Sequence, residues 1–142
     1  MKFRSKHAVL SIFIAAALGG VVVADASAQS RGGKKSQKAE QLFPQATRQE
    51  PEAKASSKLS KKLQKMIDVY NKDDFAQTRT LADEILATEG ASDYDRALAA
   101  QLASQAAYNL DDTAATKAYL QQVLQFNGLD NNGHYQSMLM LA

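Results

Sequence analysis

An all-α fold is predicted for residues 58–142 of this 142-residue chain. Apolar residues there recur at the spacing of a helix face, and short clusters of Asp, Asn and Gly separate the periodic stretches. The pattern of residues 70–90 also recurs at 108–128, which is typical of stacked helical hairpins. Both prolines, Pro44 and Pro51, lie before this region. The chain has no cysteine, which excludes disulfides and thiolate chemistry.

Residues 1–28 have the three-part organisation of an export signal. Three basic residues precede an uncharged stretch over 8–24. Ala26 and Ala28 then give the small-x-small pattern that signal peptidase accepts, so cleavage would leave Gln29 first. The alternative is an uncleaved anchor, because the stretch is at the short limit for spanning a bilayer. If the signal is cleaved, the protein is expected to be periplasmic and to contact the membrane only through its transient signal peptide.

Residues 29–57 are predicted to form a flexible linker. This stretch is rich in Lys, Gln, Ser, Ala and Glu and has no apolar period, so it buries too little apolar surface to offset its ordering entropy. Its one apolar pair, Leu42 and Phe43, is either a short docking motif or an isolated pair without a role. Without residues 1–28 the chain carries 14 basic and 14 acidic residues, which gives no electrostatic basis for nucleic-acid binding.

Five helices are predicted from apolar faces and caps. The first helix has apolar residues at i, i+4, i+7, i+8 and i+11, namely Leu59, Leu63, Met66, Ile67 and Tyr70. The other four helices begin at good N-cap residues, which are Asp74, Ser92, Asp111 with Asp112, and Asn131 or Asn132. Stop signals stand at Asn71, Gly90, Asn109 and the pair Asn127 and Gly128. Short turns between successive helices follow from these positions.

An internal repeat groups the first four helices into two hairpins. Residues 70–90 align with residues 108–128, and eight of the 21 positions are identical. The matched positions belong to turns, caps and packing, and they include Tyr70 with Tyr108, Asp73 with Asp111, Asp74 with Asp112 and Gly90 with Gly128. A hairpin repeat of this length indicates an α-solenoid, in which each unit covers the apolar face of its neighbour.

These residues resemble the tetratricopeptide repeat family, which has an aromatic residue near the end of one helix, an acidic turn, a second aromatic residue and small or aliphatic residues along the next helix. The first unit has Tyr70, Asp73, Asp74, Phe75, Ala82, Ile85 and Leu86, and the second has Tyr108, Asp111, Asp112, Ala115, Leu120, Val123 and Leu124. The resemblance covers residues 58–142. The chain departs from the family in its period of 38 instead of about 34 residues, in Gly90 and Gly128 where the family has proline, and in Thr113 where an aromatic residue is expected.

The resemblance implies a right-handed superhelix of antiparallel helix pairs whose concave surface binds extended peptides or partner helices. On this chain the implied groove includes Gln64, Asp68, Asn71 and Asn109. For Asn71 and Asn109 the alternative is a left-handed helix C-cap, a conformation that Asn readily adopts. Gln64 and Asp68 do not reproduce the Lys and Asn arrangement with which family members clamp a peptide's terminal carboxylates, so that ligand is not predicted.

The helical domain is expected to be incomplete at its C-terminal end. A fifth helix that begins near Asn132 ends in five apolar residues, 138–142, whereas the terminal helix of a solenoid presents a polar outer face. Two and a half repeats are also fewer than the roughly three that such arrays need. Two explanations stay open: the sequence is a fragment of a longer repeat protein, or the apolar end pairs with a second copy.

No catalytic, metal or cofactor site is predicted. With His134 as the one histidine after the signal and no cysteine, a zinc ion would find an uncommon set of ligands. The acidic pairs stand at predicted helix starts, where carboxylates stabilise free N–H groups and the helix dipole. The sequence contains no glycine-rich phosphate loop, no G-x-S-x-G elbow and no H-E-x-x-H motif.

We therefore expect a non-enzymatic periplasmic scaffold that binds a protein or peptide partner in the cell envelope. By resemblance, exported repeat proteins of this kind often serve envelope machinery, including Ton-type transport systems. Two alternatives remain: a self-association module that forms homo-oligomers, and an accessory repeat domain of a longer envelope enzyme.

Overall fold

The helices form where the sequence places apolar faces between capping residues. The computed structural model describes residues 40–142. Within that range the chain has five helices and no strand: α1 (Ser60–Asn71), α2 (Phe75–Leu86), α3 (Asp93–Asn109), α4 (Thr113–Phe126) and α5 (Asn131–Leu141). The all-α prediction is confirmed for this part of the chain. The predicted signal peptide with Ala26 and Ala28, and the first part of the linker, lie outside the described residues.

The core is organised around α3. Each helix packs against the next one in the chain, and α1 also contacts α3. Eleven of the 17 residues of α3 are buried, and six of these are alanines, whose small side chains let neighbouring helices approach closely. The largest fully buried apolar side chains come from four helices and are Leu63, Met66, Ile85, Leu102, Leu120 and Val123. Full burial of such a side chain stabilises the fold by about 1.5–3 kcal/mol.

The left-handed residues after α1 and α3 are aspartates. Asp73 has a φ of 60° and Asp111 a φ of 58°. The left-handed C-cap expected at Asn71 and Asn109 is therefore wrong, because these residues are the last helical ones and the left-handed step comes two residues later. Aspartate accepts this conformation because its short polar side chain can hydrogen-bond locally.

The same two turns have matching hydrogen bonds. The predicted N-caps Asp74 and Asp112 are confirmed, since each carboxylate accepts the backbone N–H three residues later, at 3.1 and 3.0 Å. The N–H of each cap residue donates to the carbonyl five residues earlier, at 3.2 and 2.9 Å. The buried hydroxyls of Thr78 and Thr116 donate to the carbonyls of their caps, both at 2.8 Å. The sequence repeat therefore corresponds to a repeated turn geometry.

Of the other two predicted N-caps, one is confirmed and one is displaced. Ser92 caps α3, and with Asp95 it forms a complete capping box, as expected. The cap of α5 was predicted one or two residues too late, because it is Asp130 and not Asn131 or Asn132. The Asp130 carboxylate accepts the N–H three residues later at 2.8 Å. Three good capping residues stand in succession there, so composition alone did not separate them.

The ends of α2 and α4 are not equivalent. After α2, Gly90 adopts a φ of 78°. After α4 the left-handed residue is Asn127, with a φ of 51°, and Gly128 has a different role. A Cβ atom at Gly128 would overlap the backbone carbonyl of Asp93. Glycine at position 128 therefore lets the loop between α4 and α5 lie directly against the start of α3.

The compact helical unit begins at Leu42. Residues 42–57, the second part of the predicted linker 29–57, belong to the same unit as the helices. We call residues 42–57 the strap. The strap contains neither helix nor strand, and it is held by hydrogen bonds to α3, α5 and the loop between α4 and α5. Among residues 40–142, none of the helices has both the length and the apolar character to cross a bilayer.

Candidate binding surfaces

The groove residues predicted on α1 form one exposed row. Gln64, Asp68 and Asn71 are all exposed, and their spacing of i, i+4 and i+7 puts them on one helix face. The Gln64 amide nitrogen Nε2 donates to Asp68 Oδ1 at 2.9 Å. This row presents amide and carboxylate groups to solvent, which are groups able to bond to a peptide backbone.

Asn109, the fourth predicted groove residue, is the last residue of α3. Its Nδ2 donates to the Gln105 carbonyl at 2.8 Å. The Tyr70 ring packs edge-on against Phe75, with centroids 5.6 Å apart. Burial, followed by the charge of Asp73, raises the pKa of Tyr70, and the nearby Asn109 amide partly opposes this. A binding role for Asn109 stays a prediction.

The strap is fastened by Arg48, a residue that sequence analysis did not single out. Its guanidinium donates to Asn127 Oδ1 at 2.7 and 2.9 Å, to the Asn127 carbonyl at 3.2 Å, to the Leu129 carbonyl at 3.0 Å and to Asn131 Oδ1 at 3.0 Å. These four oxygens lie within five consecutive residues at the junction of α4 and α5. No periodicity or motif marks Arg48, because its partners are 79 to 83 residues away in sequence.

Side chains of the helical part also bond to the backbone of the strap. Four such pairs occur: Asn132 Oδ1 with the Leu42 N–H at 3.0 Å, Asn131 Nδ2 with the Arg48 carbonyl at 3.1 Å, the Ser92 hydroxyl with the Lys54 carbonyl at 2.8 Å, and the Asp95 carboxylate with the Ser56 N–H at 3.1 and 3.2 Å. Contacts to main-chain groups depend little on the strap's side chains. They are the kind of contact with which proteins bind extended peptides.

The apolar pair of the strap packs against α5. The rings of Phe43 and Tyr135 have centroids 5.4 Å apart, while Leu42 stays 41% exposed. Residues 42–47 and Tyr135 line a shallow cavity of about 430 Å³. Next to it, burial followed by the positive charge of Arg48 lowers the pKa of His134. The position of Phe43 gives the pair a packing role within this chain.

Exposed large apolar side chains also occur at the end of α3, in the turn after it and near the end of α5. Within residues 40–142, five of the six such side chains lie in these segments: Tyr108, Leu110, Met138, Leu139 and Met140. Leu139 is 67% exposed and Tyr108 is 65% exposed. No Asp, Glu, Lys or Arg occurs in α5. We call Met138, Leu139 and Met140 of α5 the apolar end.

A polar cluster links α2 to α4. Arg79 forms an ion pair with Asp112 at 3.0 Å and lies 5.9 Å above the ring of Tyr119. The Tyr119 hydroxyl donates to Asp83 Oδ1 at 2.7 Å. Burial, followed by the bond to Asp83, raises the pKa of the Tyr119 phenol. Since each charged group here has a partner, these side chains stabilise the packing of α2 and α4.

Comparison of the chain with protein-family models, curated proteins and solved structures finds no match in any of the three. The tetratricopeptide resemblance therefore stays a prediction from the residues. In the part of the chain that the structure describes, no three His, Cys, Asp or Glu side chains are grouped so that they could hold a metal ion. The features that can act on another molecule are the polar row on α1, the Arg48 contacts and the apolar end.

Proposed function

We propose that the helical unit is a non-catalytic protein-binding module built from tetratricopeptide-like hairpins. The repeated turn geometry carries this proposal. Residues 72–74 and 110–112 are three-residue connections, and helices joined by so short a link run antiparallel. Both turns have a left-handed aspartate, an aspartate N-cap and a buried threonine in matching positions. Repeated hairpins of this kind are supports for extended binding surfaces.

The ligand that best fits this proposal is an extended peptide or a helix of a protein in the cell envelope. The row of Gln64, Asp68 and Asn71 supports it, because exposed amides and carboxylates can pair with backbone N–H and C=O groups. The sequence of residues 1–28 supports export to the periplasm. A Ton-type transport system is the envelope assembly that the family resemblance suggests.

The test is site-specific crosslinking in envelope extract. A photoreactive residue is placed at position 64 on α1, and a control one at the exposed Gln121 on α4. We expect position 64 to capture a defined protein that position 121 does not, and the variant Asp68→Ala to reduce that product several-fold. The control variant is Lys117→Ala, another exposed charge removal. Equal capture at positions 64 and 121, or a product unaffected by Asp68→Ala, would contradict binding along α1.

Self-association is a second candidate function, and the apolar end supports it. An exposed apolar patch on a helix without charges can pair with a copy of itself, because no like charges meet. Light scattering across micromolar concentrations tests this. We expect a dimer that Leu139→Lys converts to a monomer, while Lys117→Leu on α4 leaves it unchanged. A wild-type protein that stays monomeric over this range contradicts self-association.

A further inference from the structure

We propose that the loop between α4 and α5 is a binding site for an arginine in a peptide segment without helix or strand, and that the strap of the same chain occupies this site. The site consists of Asn127, Leu129 and Asn131, and Arg48 is its present occupant. A segment of a partner protein with the same side chains would then compete with the strap. This site is separate from the polar row on α1, so the inference does not depend on the proposed function.

The geometry of the site is specific for a guanidinium. Arg48 reaches four oxygens through Nε and both terminal nitrogens, and the two hydrogens of Nη2 are shared among three of these five contacts. A planar fork with five donors matches this set of acceptors, whereas a lysine ammonium has three donors and no fork. The left-handed conformation of Asn127 lets its carbonyl and its side-chain oxygen approach the same guanidinium nitrogen, at 3.2 and 2.7 Å.

The loop is held in place independently of the strap. Gly128 lies directly against the backbone of Asp93, at a distance that leaves no room for a Cβ atom. Leu129 is 5% exposed and anchors the loop in the core. Asp130 begins α5 as its N-cap. A site held in this way does not have to be ordered by its ligand, which favours binding.

A second contact extends the predicted ligand from one residue to three. The Glu50 carboxylate accepts the Asn131 N–H at 3.1 Å, at the first residue of α5. A carboxylate is favourable at a helix start because it meets free N–H groups and the positive end of the dipole. Arg48 and Glu50 are separated by one residue, so the ligand pattern is Arg-x-Glu in a segment without helix or strand. Asn131 adds a contact to the Arg48 carbonyl, which any residue supplies.

The strap is suited to exchange with a partner segment. It has no helix or strand of its own, and its backbone bonds go to side chains at a few separate points. Such segments detach locally at a lower free-energy cost than the unfolding of a helical core. Because the strap is tethered to α1, its effective concentration at the site is on the order of millimolar, so it competes strongly with an external peptide.

The test measures binding of a labelled peptide with the sequence of residues 42–57 to the full chain by fluorescence anisotropy. We expect the variant Arg48→Ala/Glu50→Ala to bind this peptide at least tenfold more tightly than the wild-type chain does. The matched control, Glu52→Ala/Lys54→Ala, removes one acid and one base from the same strap and should bind as weakly as wild type. A peptide carrying Arg48→Lys should bind the first variant about tenfold more weakly. Equal binding by wild type and the first variant, or by the two peptides, overturns the proposal.

Trypsin gives a measurement that does not depend on that double variant folding. Cleavage after Arg48 requires release of the strap, and the variant Asn127→Gly removes the side-chain acceptor while glycine keeps the left-handed backbone. We expect cleavage after Arg48, identified by mass spectrometry, to accelerate at least threefold. The matched control is Asp111→Gly, another left-handed residue without a contact to Arg48. Unchanged cleavage in Asn127→Gly overturns the proposal.

Discussion

The turns after α1 and after α3 have the same backbone but different surroundings. Tyr70, before the first turn, is partly buried against Phe75 and lies near Asn109. Tyr108, its repeat equivalent, is 65% exposed, and Thr113, the first residue of α4, corresponds to Phe75, the first residue of α2. The backbone of the turn is therefore determined locally, by its aspartates. The exposure of the tyrosine before the turn depends instead on the aromatic ring and the helix end that lie beside it.

The largest expected effect compares the buried residues of α2 and α4. Ile85 in α2 and Val123 in α4 are equivalent positions of the sequence repeat, and both are 0% exposed. We expect Ile85→Ala to lower the free energy of unfolding by about 3 kcal/mol and Val123→Ala by roughly 2 kcal/mol, because isoleucine loses one more methylene. Urea unfolding followed by circular dichroism measures both. The control Ile85→Val should cost about 1 kcal/mol. If Val123→Ala proved neutral, the two helices would not be equivalent in packing.

The second prediction exchanges the residues that distinguish the turns. Phe75→Thr removes the edge-on contact with Tyr70 and should cost about 1–2 kcal/mol, because the pair contributes beyond its buried area. Thr113→Phe places a ring beside the exposed Tyr108 and should stabilise the fold by about 0.5 kcal/mol. Thermal unfolding of both variants checks the signs. A destabilising Thr113→Phe would contradict the view that the second turn lacks only this ring.

Caps and apolar period made the helices predictable. The side chains of Asp74, Ser92 and Asp112 accept N–H groups three residues later, so these caps can be recognised from a few neighbouring residues in the sequence. The cap of α5 was misplaced because Asp130 and two asparagines stand in succession. The left-handed residue after α1 was misplaced because asparagine is the commoner choice, yet the helix continues through Asn71.

Long-range contacts could not be predicted in the same way. Arg48 lies in a polar stretch without periodicity, and its acceptors are two carbonyls and two amide side chains from the far end of the chain. Nothing in the composition of residues 42–57 distinguishes a packed strap from a flexible linker, because its hydrogen bonds use backbone groups and the side chains of one arginine and one glutamate. The groove residues Gln64, Asp68 and Asn71 were placed by the tetratricopeptide resemblance, and their exposure is consistent with positions away from the apolar face of α1.

The third prediction tests whether the two turn backbones are equally strained. Asp73→Ala and Asp111→Ala should each cost about 1 kcal/mol, because alanine in a left-handed conformation lacks the local hydrogen bonding of aspartate. Asp73→Gly and Asp111→Gly, which suit this conformation, serve as controls and should be close to neutral. Since the two φ values are 60° and 58°, we expect equal effects at both turns by urea unfolding. Costs that differ by more than about 1 kcal/mol would show that the turns differ in more than their side chains.

The smallest expected effect is a shift in the titration of Tyr70. Burial is the largest cause that raises the pKa of this phenol above 10.0, and the charge of Asp73 is the next. Asp73→Asn should therefore lower the Tyr70 pKa, measured by NMR of labelled tyrosine, and leave it above 10.0 because burial remains. The control Asp111→Asn changes the equivalent residue of the other turn and should leave the pKa of Tyr70 unchanged.

The same titration links Tyr70 to the stability of the first turn. A phenol whose pKa is higher in the folded state than in the unfolded state stabilises the fold fully below pH 10.0, and this contribution is lost as the pH rises above that value. Tyr70→Phe should therefore weaken the alkaline loss of stability, because its ring keeps the contact with Phe75 but has no proton to release. If Tyr70→Phe and wild type lost stability in parallel between pH 9 and pH 11, a range of roughly one unit either side of the ordinary value, the phenol would not be desolvated by the first turn. Burial of Tyr70 distinguishes the first turn from the second, where Tyr108 is exposed. That result would therefore contradict the difference between the two turns.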